Sequence, residues 1–216
     1  MNTCLIIAGG SVDEAFAAGY LKGKTYGHVI AADSGLETAG RLGLMPTAAV
    51  GDFDSVSRET YACYAEKSGI RWDVHKPEKD ETDMELALAA ARARGCGRVE
   101  VIGATGGRMD HTLSNIQSML PCLRAGVQVT LVDHKNRVFL LDKGRTFLRS
   151  ECFGKYISFL PLTERVTGIT LKGFKYPLNG CSLEIGPSLM ISNELVREEG
   201  SIEFTSGVLI CVESRD

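Results

Sequence analysis

Nine of the eleven aspartates fall within the first 133 residues. Six of them follow short apolar runs. Asp33 follows HVIAA, Asp52 and Asp54 sit in GDFDS (51–55) directly after TAAV, Asp80 and Asp83 lie in KPEKDETD (76–83), and Asp110 ends GATGGRMD (103–110). A D-x-D with a hydrophobic spacer keeps both carboxylates on one side of an extended chain. In that arrangement Phe53 is expected to turn inward and anchor the loop. Two carboxylates in a partly buried cleft raise each other's pKa unless a cation offsets them. Mg²⁺ suits the role, because it takes oxygen ligands and is commonly shared between a few carboxylates and substrate phosphates.

Phosphate-binding parts are also present. GATGGR (103–108), with Gly106 and Gly107, is a glycine-rich loop leading into a helical pattern. Such a loop offers backbone N–H groups and the positive end of a helix dipole. Arg108 can grip phosphate oxygens in bidentate fashion, and Lys76 and Lys79 flank the second aspartate pair. Carboxylates, a metal and a phosphate loop together point to phosphoryl or nucleotidyl transfer, where positioning and charge neutralisation do most of the catalysis. Each residue alone has a plainer reading. An Asp after a strand is also a turn former or helix N-cap, and Asp80, Asp83 or Asp110 can simply favour a helix N-terminus.

Other chemistries lack their parts. There is no G-x-x-x-x-G-K-[ST], and IAGGSVD (7–13) lacks the G-x-G-x-x-G spacing of a dinucleotide site. A net charge of −3 gives no basic footprint for nucleic acid. No run reaches the ~18 apolar residues of a membrane span, and the N-terminus has no basic lead-in of a signal peptide. Seven cysteines, an odd number with no C-x-x-C, are expected to be free thiols in a reducing cytoplasm.

The elements that must position these groups follow from periodicity. Apolar runs CLIIAG (4–9), HVIAAD (28–33), TAAVGD (47–52), RWDVHK (71–76), VEVIGA (99–104) and VQVTLVD (127–133) alternate with stretches of helical spacing. Such alternation predicts βαβ units and a parallel sheet. The last helical stretch, DHTLSNIQSMLPCLRAG (110–126), reads as one helix. Thr82 and Glu85 predict a capping box, and Gly69, Gly95 and Gly126 predict helix ends. In an open parallel sheet the strand C-terminal ends share one edge, so the six aspartates are expected to converge there. Beyond His134–Asn136 the pattern changes to short β-branched and aromatic runs: RVFLL, RTFLR, KYISFLPL, TGITLKGF, SIEFT and GVLICV. These predict an antiparallel sheet or sandwich. The expected class is therefore α/β, with a parallel-sheet nucleotide domain over 1–134 and a smaller β-sandwich domain over 135–216.

The ordered set ADSG (32–35), GDFDS (51–55), KDETD (79–83), GATGGRMDH (103–111) and ISNE (191–194) resembles the thiamine pyrophosphokinase family, from the first strand to the last. The resemblance implies a homodimer with active sites between subunits, and transfer of the pyrophosphoryl group of ATP to the hydroxyethyl oxygen of thiamine, releasing AMP. The hydroxyl would attack the β-phosphorus directly. By motif, Asp52, Asp54 and Asp83 match the carboxylates that gather Mg²⁺. Asp33, Asp80, Thr82, Arg108, Asp110 and His111 match positions around the nucleotide and the transferring group, and Ser192 and Asn193 match the thiamine pocket. An aspartate of this set or His111 would accept the hydroxyl proton. SNELVREEG (192–200) lacks the aromatic residue that some relatives carry after the S-N pair, which leaves Tyr176 as the nearest aromatic; Trp72 is expected in the core.

Two other functions stay open on the residues themselves. One is a Mg²⁺-dependent pyrophosphokinase for another primary alcohol, such as a hydroxymethylpterin. The other is a non-catalytic sensor of nucleotide or thiamine diphosphate, whose signature would be missing metal ligands.

Overall fold

A computed structural model describes residues 2–76, 78 and 80–216. The chain divides into two compact units, Met1–His134 and Lys135–Asp216.

The first unit alternates strand and helix throughout. Its strands are β1 (Thr3–Ile7), β2 (His28–Ala32), β3 (Ala48–Gly51), β4 (Arg71–Val74), β5 (Arg98–Ile102) and β6 (Gln128–Val132). The helices are α1 (Glu14–Leu21), α2 (Gly35–Arg41), α3 (Arg58–Ala65), α4 (Asp83–Ala93), α5 (Met109–Gln117) and α6 (Met119–Arg124). The strands pair in parallel in the order β4-β3-β2-β1-β5-β6. After β1 the order runs one way through β2, β3 and β4; β5 then returns to the other side of β1. That reversal makes a crevice at the C-terminal ends of β1 and β5. The β1 run TCLII is buried at four of its five positions, as a central parallel strand must be. Leu5, Ile7, Ala31, Ala49 and Ile102 pack with Leu36 and Ala39 of α2 and with Tyr64 of α3 into one core.

Helix punctuation explains most of the boundaries. Thr82 and Glu85 form a reciprocal capping box at the start of α4. Gly69, Gly95 and Gly126 follow their helices in the left-handed region, which only glycine enters at no steric cost. One expectation fails: 110–126 is not a single helix. It breaks at Ser118 into α5 and α6. Pro121 is the cause, because its ring crowds the carbonyl four residues earlier and it has no N–H to continue the ladder.

The second unit is entirely β apart from a 3₁₀ turn at Arg149–Glu151. It comprises β7 (Asn136–Leu141), β8 (Arg145–Leu148), β9 (Tyr156–Pro161), β10 (Arg165–Lys172), β11 (Leu178–Glu184), β12 (Glu199–Glu203) and β13 (Leu209–Ser214). β13 pairs antiparallel with β7 and β9, and a separate sheet runs β11-β10-β12-β8. Phe147 of β8, Phe159 of β9 and Phe174 meet edge to face, with ring centroids 5.7–6.1 Å apart, and form the centre of this sandwich. Beside it, Glu213 is 1% exposed and accepts from Arg137 Nε at 2.8 Å and from Phe153 N at 2.7 Å. All seven cysteines are free. No helix among the described residues is long and apolar enough to cross a membrane.

Candidate active site

The carboxylates are brought together by two neighbouring strand ends. β2 pairs with β3 through Ala32↔Val50, and the Asp33 N–H continues the ladder to the Val50 carbonyl at 2.9 Å. Gly51, at φ +143°, lets the two ends close, since a Cβ there would lie 3.2 Å from the Asp33 backbone. Beyond it the chain turns through Phe53, whose φ of 60° is in the left-handed region, as is Asp33 at 46°. That region costs a residue with a Cβ roughly 1–2 kcal/mol. The Phe53 ring offsets this: it is 7% exposed, and burying a phenylalanine contributes about 1.5–3 kcal/mol. Phe53 thus points inward, with Asp52 and Asp54 on either side of it.

The outcome is a group of three. One oxygen each of Asp33, Asp52 and Asp54 lie within 4.8 Å of one another. The Asp54 N–H donates to Asp52 Oδ1 at 3.2 Å, which fixes the loop, and the Ser55 hydroxyl donates to Asp33 Oδ2. Asp33 Oδ1 is buried and makes no hydrogen bond within the described residues. A carboxylate with a buried oxygen lacking a hydrogen bond, close to two other carboxylates, is a poor arrangement for a bare protein and a good one for a divalent cation. The trio therefore fits Mg²⁺.

A cleft of about 560 Å³ opens beside these groups. Asp33 and Asp52 lie on one wall, with Thr82, Asp83 and Glu81 at the start of α4. The facing wall is the loop from Gly103 to Arg108, continued by His111, Thr112 and Asn115 of α5. Gly10 and Gly103 make the close approach of the loops after β1 and β5 possible. The Gly10 N–H donates to the Gly103 carbonyl at 2.9 Å, and a Cβ on Gly10 would lie 2.4 Å from that oxygen. Asn115 Nδ2 donates to the Ala104 carbonyl at 2.8 Å and pins the glycine loop to the helix.

The positions named from sequence divide accordingly. Asp33, Asp52, Thr82, Asp83, Gly107, Arg108 and His111 line the cleft. Thr82 also caps α4 through its side chain. Asp54 is exposed and joins the cleft through the trio. Gly106 lines a second, smaller cavity with Phe16 and Asp133. Asp80 is exposed and lines neither cavity; its neighbour Glu81 lines the cleft. Lys79 lies outside the described residues. Asp110 is exposed, does not line the cleft and binds Arg108, with Nε–Oδ1 at 3.1 Å and Nη2–Oδ2 at 2.6 Å. These two hydrogen bonds from Arg108 push the Asp110 carboxyl down to about 2.

In the second unit Ser192 also has a positive φ, 55°, and its N–H donates to Ser158 Oγ at 2.9 Å. Asn193 is 1% exposed. Its carboxamide accepts from the N–H groups of Tyr176 and Glu194 and donates to the Tyr176 carbonyl, each at 3.0 Å. Asn193 thereby holds the backbone of Tyr176, whose ring is exposed.

Sequence reasoning missed Ser11, Ser34, Thr112 and Asn115 on the cleft and the tie made by Ser55. A signal for two of them existed. Positions 108, 111, 112 and 115 are spaced as one helix face, and all four are polar.

A cleft with carboxylates on one wall and a glycine-rich loop on the other is built for a phosphate-bearing ligand and its cation. Comparison with known proteins narrows this class. The family model "Thiamin pyrophosphokinase, catalytic domain" matches residues 23–131, and "Thiamin pyrophosphokinase, vitamin B1 binding domain" matches residues 145–209. Thiamine pyrophosphokinase of Bacillus subtilis is 36% identical over 218 residues, covering all of both chains. A crystal structure of the Bacillus subtilis enzyme superimposes with a TM-score of 0.87 at 33% identity over the full length of both. One from Geobacillus thermodenitrificans gives 0.86 at 30%, covering 99% of this chain and 98% of that one. The chain belongs to the thiamine pyrophosphokinase family.

Proposed function

We propose that the chain transfers the pyrophosphoryl group of ATP to the primary hydroxyl of thiamine, giving thiamine diphosphate and AMP. The observation that carries the reading is the Asp33–Asp52–Asp54 trio on the rim of a cleft whose other wall is a glycine-rich loop. Family membership supplies the substrates, and it favours thiamine over a hydroxymethylpterin. All the carboxylates named from sequence are present, which argues against a non-catalytic sensor.

In this reading Asp33, Asp52 and Asp54, with Asp83 at the start of α4, hold Mg²⁺. When bound, the ion neutralises the phosphate oxygens and draws charge from the transferring group. The N–H groups of the loop at 103–107 bind phosphate oxygens. Arg108 must release Asp110 to add its guanidinium to them. A carboxylate of the trio, or His111 on the facing wall, accepts the proton of the attacking hydroxyl. Ser192 and Asn193 belong to the thiamine side, with Tyr176 offering an exposed ring. A homodimer completes the reading by resemblance, and seven free thiols suit the reducing cytoplasm.

The test is incubation with ATP, Mg²⁺ and thiamine, with separation of the nucleotide products. Thiamine-dependent AMP supports the reading. ADP in place of AMP, or turnover with a hydroxymethylpterin and none with thiamine, overturns it.

A further inference from the structure

The chain has one tryptophan, and the chemistry above gives it no task. Trp72 lies on the edge strand β4, opposite Ala49 of β3. It is only partly buried, yet it packs against the main core. Its ring meets that of Phe53 edge-on with centroids 5.2 Å apart, and meets Tyr61 of α3 at 5.0 Å. Phe53 and Tyr61 close the triangle at 5.9 Å. Phe53 is the spacer of the D-x-D sequence and holds a left-handed backbone.

We infer that Trp72 and Tyr61 are positioning residues for the metal-holding carboxylates, acting through the Phe53 ring; the inference rests on the Mg²⁺ reading of the trio. The ties of the loop from Gly51 to Val56 include the Asp54–Asp52 bond, the Ser55–Asp33 bond, Val56 N to the Phe53 carbonyl at 3.2 Å and His75 N to the Gly51 carbonyl at 2.9 Å. None of these dictates the sign of the Phe53 φ. A phenylalanine has no intrinsic liking for that region, so the conformation persists only where surroundings over-determine it. The surroundings here are two aromatic rings from two different elements, one on a strand and one on a helix. Edge-to-face contact fixes ring orientation as well as burial. With the ring fixed, the Cα of Phe53 is fixed, and the carboxylates one residue to either side leave it in set directions. Removing a wall of the socket frees Phe53 to relax to an extended backbone, and Asp52 and Asp54 then spread over several directions. Metal affinity falls, whereas chemistry with metal bound is unchanged. A purely structural cluster would lose stability with metal affinity intact.

The experiment compares Mn²⁺ binding by titration calorimetry, without nucleotide, for the full chain and for Trp72→Ala, Trp72→Phe, Tyr61→Ala and Asp54→Asn. Trp72→Ala and Tyr61→Ala are expected to weaken binding about tenfold, as outer-shell losses do, and Trp72→Phe to restore it. In turnover the same two alanine variants should need more Mg²⁺ for half-saturation while keeping kcat at saturating Mg²⁺. Unchanged Mn²⁺ affinity in folded Trp72→Ala overturns the inference, as does a fall in kcat with affinity intact. If Trp72→Ala does not fold, exposed Tyr61 carries the same comparison. Wild-type binding that Asp54→Asn leaves untouched, or no wild-type binding at all, overturns the metal reading and the inference with it.

Discussion

The Ser55 hydroxyl donates to Asp33 Oδ2, and so joins the loop after β3 to the carboxylate that ends β2. It is a side-chain link at the strand ends that supply the trio. Ser55→Ala keeps every carboxylate and the backbone ladder but frees the Asp33 carboxylate from the loop after β3. Half-saturating Mg²⁺ should rise about tenfold, with recovery in Ser55→Thr. Steady-state assays at varied Mg²⁺ and fixed ATP measure it. No change in Mg²⁺ dependence would mean that the backbone ladder alone aligns the trio.

Asp54→Asn removes a charge from an exposed position of almost unchanged shape. The fold should be kept, with stability shifted by no more than about 0.5 kcal/mol. Turnover should fall on the order of a hundredfold, the size of losing one group from a preorganised charge-stabilising site. Urea unfolding and initial rates on the same preparation separate the two effects. Full activity would exclude Asp54 as a metal ligand.

The Arg108–Asp110 pair gives a pH prediction. Arg108 pushes the Asp110 carboxyl down to about 2. Its folded pKa is therefore below the ordinary value of 3.8. For a carboxylate shifted this way, the pair is fully formed above the ordinary value and is lost as pH falls through the lowered one. Both side chains are solvent-exposed, so salt screens the pair and its share of stability is small. Carboxyl chemical shifts of Asp110 should show a midpoint near 2, returning toward the ordinary value in Arg108→Gln. A change of turnover near neutral pH has some other group as its origin.

Glu213 in the second unit is buried against Arg137 and the Phe153 N–H. Glu213→Ala strands an amide donor in the sandwich. The loss should be about 1–3 kcal/mol, because the Phe153 amide loses its acceptor while Arg137, a quarter exposed, keeps the Glu151 carbonyl. Urea denaturation measures it. A loss within error of zero would show that water reaches the Phe153 amide freely.

Much of this architecture was legible because its rules are local. The six parallel strands appear as apolar runs, and the Thr82–Glu85 cap and the glycines at 69, 95 and 126 mark helix ends by chemistry that needs no tertiary partner. Where tertiary context decides, the reading failed. β11, LNGCSLE, does not look like a strand: it holds Asn, Gly and Ser, and Leu183 is its only buried residue. It is an edge strand, defined by the ladder to β10 rather than by an apolar face. The break at Ser118 was visible in Pro121, but the helical spacing on both sides masked it. The aspartates followed the same division. Convergence of Asp33 with Asp52 and Asp54 follows from strand order. The turning of Asp110 toward Arg108 is a choice of side-chain rotamer, which no spacing encodes.

Whatever holds Phe53, the trio also depends on the register Ala32↔Val50. A one-residue slip of β3 would present Gly51 or Phe53 where Asp52 belongs and turn its side chains to the opposite face. The molecule is therefore intolerant of length changes in the segment from Ala48 to Ser55, however conservative their chemistry. A Cβ added to Gly69, in the turn after α3, would meet nothing within 4 Å, and this open turn can absorb an insertion. Scanning single-residue insertions along the chain should separate the tolerant exposed turns from the strands, and within folded variants mark the segment from Ala48 to Ser55 by loss of turnover.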